Sequence, residues 1–150
     1  PPSPDLLRLA VPRLYVGLGC RRGIPKGAAL AALTELCGAH DLELRAAAAL
    51  ATVTEKAGEA ALRAAATQLR IPLRTFPAGE LARYATPNPS EVAGRRFKQP
   101  PFSVCEASAL LAARADGHSA RMLLPKTAIQ GCLTIAVALA VPVNPTPQTA

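Results

Sequence analysis

The sequence predicts a single α/β domain, a three-layer α/β/α sandwich whose mixed sheet has about five strands. Three observations lead there. Short apolar runs alternate with segments that have helix caps and helical periodicity. The 150 residues suffice for one domain with a buried core. The last two apolar runs are separated only by Pro125 to Cys132, too few residues for a crossover helix, so that pair is expected to be antiparallel.

The elements follow in order. Residues 1–12 and 142–150 are proline-rich without periodicity and read as flexible tails around a domain at 13–141. Leu14 to Val16 ends a first strand that runs into the loop Gly17-Leu18-Gly19-Cys20-Arg21-Arg22-Gly23. Pro25 suits the first turn of the next helix, whose stripe is Leu30, Leu33 and Leu36-Cys37, with Gly38 as its stop. The latter half of Leu44 to Val53 is expected to be a second strand, though its alanine run also fits a helix. Thr52-Val53-Thr54-Glu55 fits a capping box that opens a helix to about Leu69. Ile71 to Phe76 is a third strand, and short helices are expected at Ala78 to Tyr84 and from Pro89, with Asn88-Pro89-Ser90-Glu91 supplying cap and proline. Ser103-Val104-Cys105-Glu106 is a second capping box, opening a helix to about Ala115; Arg121 to Leu124 and Leu133 to Ala140 are the last strands.

Half the residues are hydrophobic, but 32 are alanine and only five are aromatic, so the core is built from Leu, Val and Ala. Seventeen Lys and Arg against ten Asp and Glu give +7, which favours an anionic partner. Part of that basicity is what GC-rich codons would produce. Nucleic acid is not the expected partner, because the aromatics are scattered and no Lys/Arg run exceeds two. No membrane is expected either: Leu133 to Val141 is too short to span a bilayer. Cys20, Cys37, Cys105 and Cys132 have no zinc spacing and follow no secretory leader, so reduced thiols in a cytoplasmic protein are expected, with no metal site and no cofactor.

In such sheets ligands bind beyond the carboxyl ends of the parallel strands. The first strand delivers the glycine loop, the second Thr52 to Glu59, and the fourth ends at Pro125-Lys126. If these run parallel, Arg21, Arg22, Lys56 and Lys126 converge on one edge beside helix N-termini. His40 and His118, each after a helix-ending glycine, belong at the opposite edge. Ordinary structural readings stand beside these: Gly17, Gly19 and Gly23 permit a tight turn, Lys56 and Glu59 form a solvated helical ion pair, and Glu106 completes its capping box. Cys20 and Cys105 sit where a thiol pKa can be lowered, yet neither has a neighbouring histidine. Gly17-x-Gly19-x-x-x-Gly23 has one residue too many for a dinucleotide fingerprint, which leaves dinucleotide binding as a weak alternative.

The ordered set of Gly17 to Gly23, Thr52 with Lys56 and Glu59, Pro89-Ser90 with Val92, Val104 with Glu106-Ala107-Ser108-Ala109, Pro125-Lys126 and Thr134-Ile135-Ala136-Val137-Ala138 resembles the CobE family, equivalent to the C-terminal domain of CbiG, in cobalamin biosynthesis. The resemblance spans about Leu14 to Ala140. It implies the three-layer fold and a place in the corrin pathway. CbiG carries further regions and is associated with opening a ring-A lactone; this chain has no room for them and looks like the free-standing form of the oxygen-dependent pathway. The expected ligand is a polycarboxylate corrin intermediate, exchanged with other enzymes of the pathway. Arg21 and Arg22 would grip carboxylates in bidentate fashion, Lys56 and Lys126 would add point charges, and Gly19, Cys20, Gly23 and Thr52 complete the ligand-binding set. The alternative is an enzyme acting on that intermediate by hydrolytic or lactone-opening chemistry, with Glu59 or Glu106 as general base and Lys126 as oxyanion stabiliser.

Overall fold

The computed structural model describes residues 13–141; the two expected tails lie outside the described residues. Strands β1 (Leu14–Cys20), β2 (Ala47–Val53), β3 (Leu73–Phe76), β4 (Ser119–Ile129) and β5 (Leu133–Val141) form one sheet in the order β3-β2-β1-β5-β4. β1 pairs parallel with β2 and β2 with β3, whereas β5 is antiparallel to both β1 and β4. β4 therefore runs in the direction of β1, and four strands direct their carboxyl ends to one edge. The helices are α1 (Ala28–Ala39), α2 (Ala60–Leu69), α3 (Ala78–Leu81), α4 (Glu91–Phe97) and α5 (Val104–Ala115).

Alternation along the strands builds two cores. Leu14, Val16 and Leu18 of β1 and Leu133, Ile135 and Val137 of β5 face Leu33 and Leu36 of α1 and Leu62 of α2. Each buried leucine there contributes about 2 to 3 kcal/mol of transfer free energy. The other face is different. Tyr15, Ala49, Ala51, Ala138 and Ala140 meet Ala109, Ala112 and Ala113 of α5, so small side chains let the helix lie close on the sheet. The approach is tightest at Gly17, where a Cβ would stand 1.7 Å from the Cys105 carbonyl oxygen. Part of the alanine content is thus a packing requirement of α5, with seven of the 32 alanines buried in this layer. Toward the carboxyl edge, Val53, Ala78, Leu81, Phe102, Ala107 and Leu111 close the core.

Several expectations are corrected. Gly17 to Cys20 is not loop but the second half of β1, because its backbone pairs with Leu133 to Ala136 of β5. The dinucleotide reading loses its loop with it, since Gly17 serves helix packing and a Cβ on Gly19 would meet Thr134 Oγ1 at 2.7 Å. Thr52 caps no helix; it sits inside β2 and donates its hydroxyl to the Leu18 carbonyl at 2.7 Å. A 3-10 turn (Thr54–Lys56) intervenes, and α2 starts only at Ala60. The α4 cap is Ser90, which accepts from the Ala93 amide, and not Asn88. Gly38 lies within the last turn of α1 rather than beyond it. β4 extends to Ile129, and the chain reverses within Gln130, Gly131 and Cys132, with positive φ at the first two. Pro125 is tolerated because β4 is an edge strand and the register slips there.

The edge bearing the start of β1 is closed by a polar cluster. The Tyr15 hydroxyl donates to Asp116 at 2.6 Å, and Arg74 of β3 pairs with the other carboxylate oxygen. Burial and the Asp116 carboxylate push the Tyr15 phenol well above its ordinary range. Burial opposes ionisation of Asp116, but bonds from Tyr15 and Arg74 outweigh it and hold its carboxyl low. His118 packs tilted on Tyr15 with ring centroids 6.2 Å apart, at the edge expected for it.

Candidate functional site

At the carboxyl edge lies a cleft of about 260 Å³. Its floor is the end of β1 (Gly19, Cys20), Val53 of β2 and Leu133 and Thr134 of β5. One wall is α4, presenting Val92, Ala93, Arg96 and Phe97; another is the first turn of α5, Ser103 to Cys105; a third is Lys126 and Ala128 of β4. Arg21, Lys56, Arg96 and Lys126 line it, and no acidic side chain does. Lys56 and Lys126 are half-buried, while Arg21 and Arg96 reach out from exposed positions. Beside it, an open hollow of about 680 Å³ shares Lys56, Arg96 and Phe97 and adds Arg22 and Lys98 with Glu55 and Glu59.

The structure thus brings together Gly19, Cys20, Arg21, Lys56 and Lys126 as the sequence indicated, but separates Arg22 into the outer hollow. Thr52 and Gly23 line neither. Gly23 takes φ 76 in the turn after β1, and its amide donates to both Glu59 carboxylate oxygens at 2.9 and 3.2 Å. Glu59, just before α2 rather than within a helix beside Lys56, therefore ties down the arginine turn. The ion pair with Lys56 gives way to that role.

Glu106 is fully buried. Its amide donates to Ser103 Oγ as a capping box requires, but the carboxylate does not complete the box. Instead it accepts from the Asn88 amide at 2.9 Å, from Asn88 Nδ2 at 2.8 Å and from the Lys126 amide at 2.9 Å. Burial alone would raise its pKa; these bonds from Asn88 and Lys126 overcome that and hold the carboxyl below its ordinary value.

The two thiols whose settings could have lowered their pKa are not activated. Burial pushes Cys105 up, and Cys20 up to about 11, in spite of the nearby Lys56. Alkylation of Cys20 in the folded protein should accelerate about tenfold per pH unit from neutrality to about pH 10, because only the thiolate reacts. Mass-spectrometric rates with iodoacetamide test this; a plateau near neutral pH would mean an activated thiol. Among the described residues no group of three or more His, Cys, Asp and Glu is placed to hold a metal ion, and no helix is long and apolar enough to cross a membrane.

The contribution of α4 was not legible in advance. Arg95-Arg96-Phe97-Lys98 is a dense cationic stretch that could have signalled it, but its place depends on a fold-back between Ser90 and Phe102.

Fold and site together define a three-layer α/β protein with a cation-rimmed apolar cleft at the carboxyl edge of its sheet. The family model described as cobalamin synthesis G C-terminus matches residues 14–138, and the chain belongs to that family, the CobE and CbiG C-terminal domain family of cobalamin biosynthesis. A crystal structure of CobE, a protein from the cobalamin (vitamin B12) biosynthetic pathway, is similar at 35% identity and TM-score 0.74, over 84% of this chain and 92% of that one. The cobalamin biosynthesis protein chiG from Agrobacterium tumefaciens str. C58 is similar at 30% identity and TM-score 0.62, over 84% and 97%. A cobalamin biosynthesis protein G homolog from Sulfolobus solfataricus shares the fold at 20% identity and TM-score 0.63, over 85% of this chain and 36% of that one. No curated protein sequence matches significantly.

Proposed function

We propose that the chain binds a polycarboxylate corrin intermediate of the oxygen-dependent cobalamin pathway at this cleft and hands it to a neighbouring cytoplasmic enzyme. The observation that carries the reading is the set of four cations around an apolar cleft with no acidic side chain. A corrin ring has a flat apolar face and several acetate and propionate arms. Val53, Val92, Phe97 and Val104 suit the first, and Arg21, Lys56, Arg96 and Lys126 the second. At about 260 Å³ the cleft accommodates one edge of such a ring, leaving further arms to Arg22 and Lys98 in the outer hollow. A site that grips one edge leaves the rest of the ring open to the next protein.

Binding is favoured over catalysis because both candidate bases are engaged. Glu106 is buried under three donors, and Glu59 is held by the Gly23 amide. Spectroscopic titration with cobyrinic acid, a corrin heptacarboxylate, and with its heptamethyl ester tests the reading. The acid is expected to bind unchanged, more weakly as salt rises, and the ester poorly. Equal affinity for the two, or none for either, would sink the proposal; chemical conversion of the corrin would make the protein an enzyme.

A further inference from the structure

We propose that Glu106 is a positioning residue that holds two facing walls of the cleft in register, the α4 segment and the Lys126 bulge of β4. This rests on the reading of the cleft as a corrin-carboxylate site. Glu106 itself does not line the cleft. Ligand affinity would then depend on a carboxylate that never meets the ligand.

The geometry is specific. Glu106 is the third residue of α5, an element fixed against the sheet by its alanine face. Its Oε1 accepts from the Asn88 amide and its Oε2 from Asn88 Nδ2 and the Lys126 amide. Asn88 stands two residues before the α4 cap. α4 packs only lightly: Gly94 is its one buried residue, Ala93 and Phe97 are partly buried against the core cluster that contains Phe102, and Val92 is 59% exposed at the cleft mouth. It is tied at its ends, by the Ser90 to Phe102 backbone pairing and the Phe97 to Phe102 ring contact on one hand and by Asn88 on the other. On the facing wall, the β4 register slips between Leu124 and Thr127, so the Lys126 amide is free of the ladder and points to Glu106.

Three donors on one side chain explain why a carboxylate stands here. It offers acceptors only, whereas glutamine would turn an N–H toward at least one of these donors. The Glu106 bonds thus join the stem of the wall that carries Val92 and Arg96 to the strand that carries Lys126.

The test uses Glu106→Gln and Asn88→Ala in the full chain, with cobyrinic acid titration and backbone amide NMR as readouts. In Glu106→Gln the Asn88 and Lys126 amide signals should move together, the Arg96 signal should follow, and affinity should fall about tenfold or more, the scale of one charge-assisted hydrogen bond. Asn88→Ala keeps the buried carboxylate, and it should still displace the Lys126 signal across the cleft. Adding it to Glu106→Gln should cost little more than Glu106→Gln alone. A folded Glu106→Gln with unmoved Arg96 and Lys126 signals and wild-type affinity would overturn the proposal. Should that variant not fold, an Asn88→Ala protein with wild-type affinity and an unmoved Lys126 signal would overturn it equally. If the wild-type chain itself ignores cobyrinic acid, the binding reading falls, and positioning is decided by whether Asn88→Ala moves Lys126.

Discussion

Replacing Gly17 by alanine is expected to cost about 3 kcal/mol or more of folding stability, at the upper end of overpacking effects. The new Cβ would lie 1.7 Å from the Cys105 carbonyl oxygen and 2.8 Å from Ser108 Oγ. The first of these is backbone, which no rotamer change can relieve, so α5 must lift from the sheet. That would also disturb the first turn of α5, which walls the cleft and carries Glu106. The comparison that isolates the cause is Gly38→Ala, where an added Cβ meets nothing within 4 Å. Urea unfolding of the two variants should separate them clearly; equal stability would show that the helix is free to shift at Gly17.

Reversing the charge at Arg96 is expected to weaken cobyrinic acid binding about 100-fold, in the range measured when one member of a close charge pair is lost. Arg96 borders both the cleft and the outer hollow, so Arg96→Glu replaces attraction by repulsion for arms in either. Stability should be nearly unchanged, because the side chain is exposed and the ion pair on α4 is instead Arg95 with Glu91 at 4.0 Å. Arg83→Glu, exposed and lining neither hollow, is the control for net charge. Similar losses in the two variants would reduce the role of Arg96 to general electrostatics.

These two positions differ in how the sequence displayed them. Gly17 is visible as part of a glycine-rich segment, but its purpose is not: a glycine that admits a helix looks the same in sequence as one that permits a turn. Arg96 stands in a cationic stretch that no motif marks. Its companions Arg21 and Lys56 follow β1 and β2, where the rule that ligands gather at strand carboxyl ends places them together, whereas Lys126, expected just past a strand end, lies inside β4 and reaches the cleft where the register slips. Arg96 follows no strand, and no comparable rule brings it there.

Glu59 and Glu106 show the same limit. Local spacing offered each a near partner, Lys56 for one and the cap of α5 for the other, while the folded chain gives them the Gly23 amide and the donors of Asn88 and Lys126. Segments 18 to 36 residues apart compete for these carboxylates, and local spacing does not rank such bonds.

By itself the sequence determined the strand and helix order, the antiparallel final pair, the edge at which cations gather and the family, because periodicity, caps and ordered motifs are written in neighbouring residues. Only the tertiary structure decided that α5 rests on an alanine surface at Gly17, that α4 walls the cleft, and that one buried carboxylate joins two of its walls. Close approach and hydrogen-bond partnership are properties of residues distant in the chain, and they exist only once the sheet has brought those residues together.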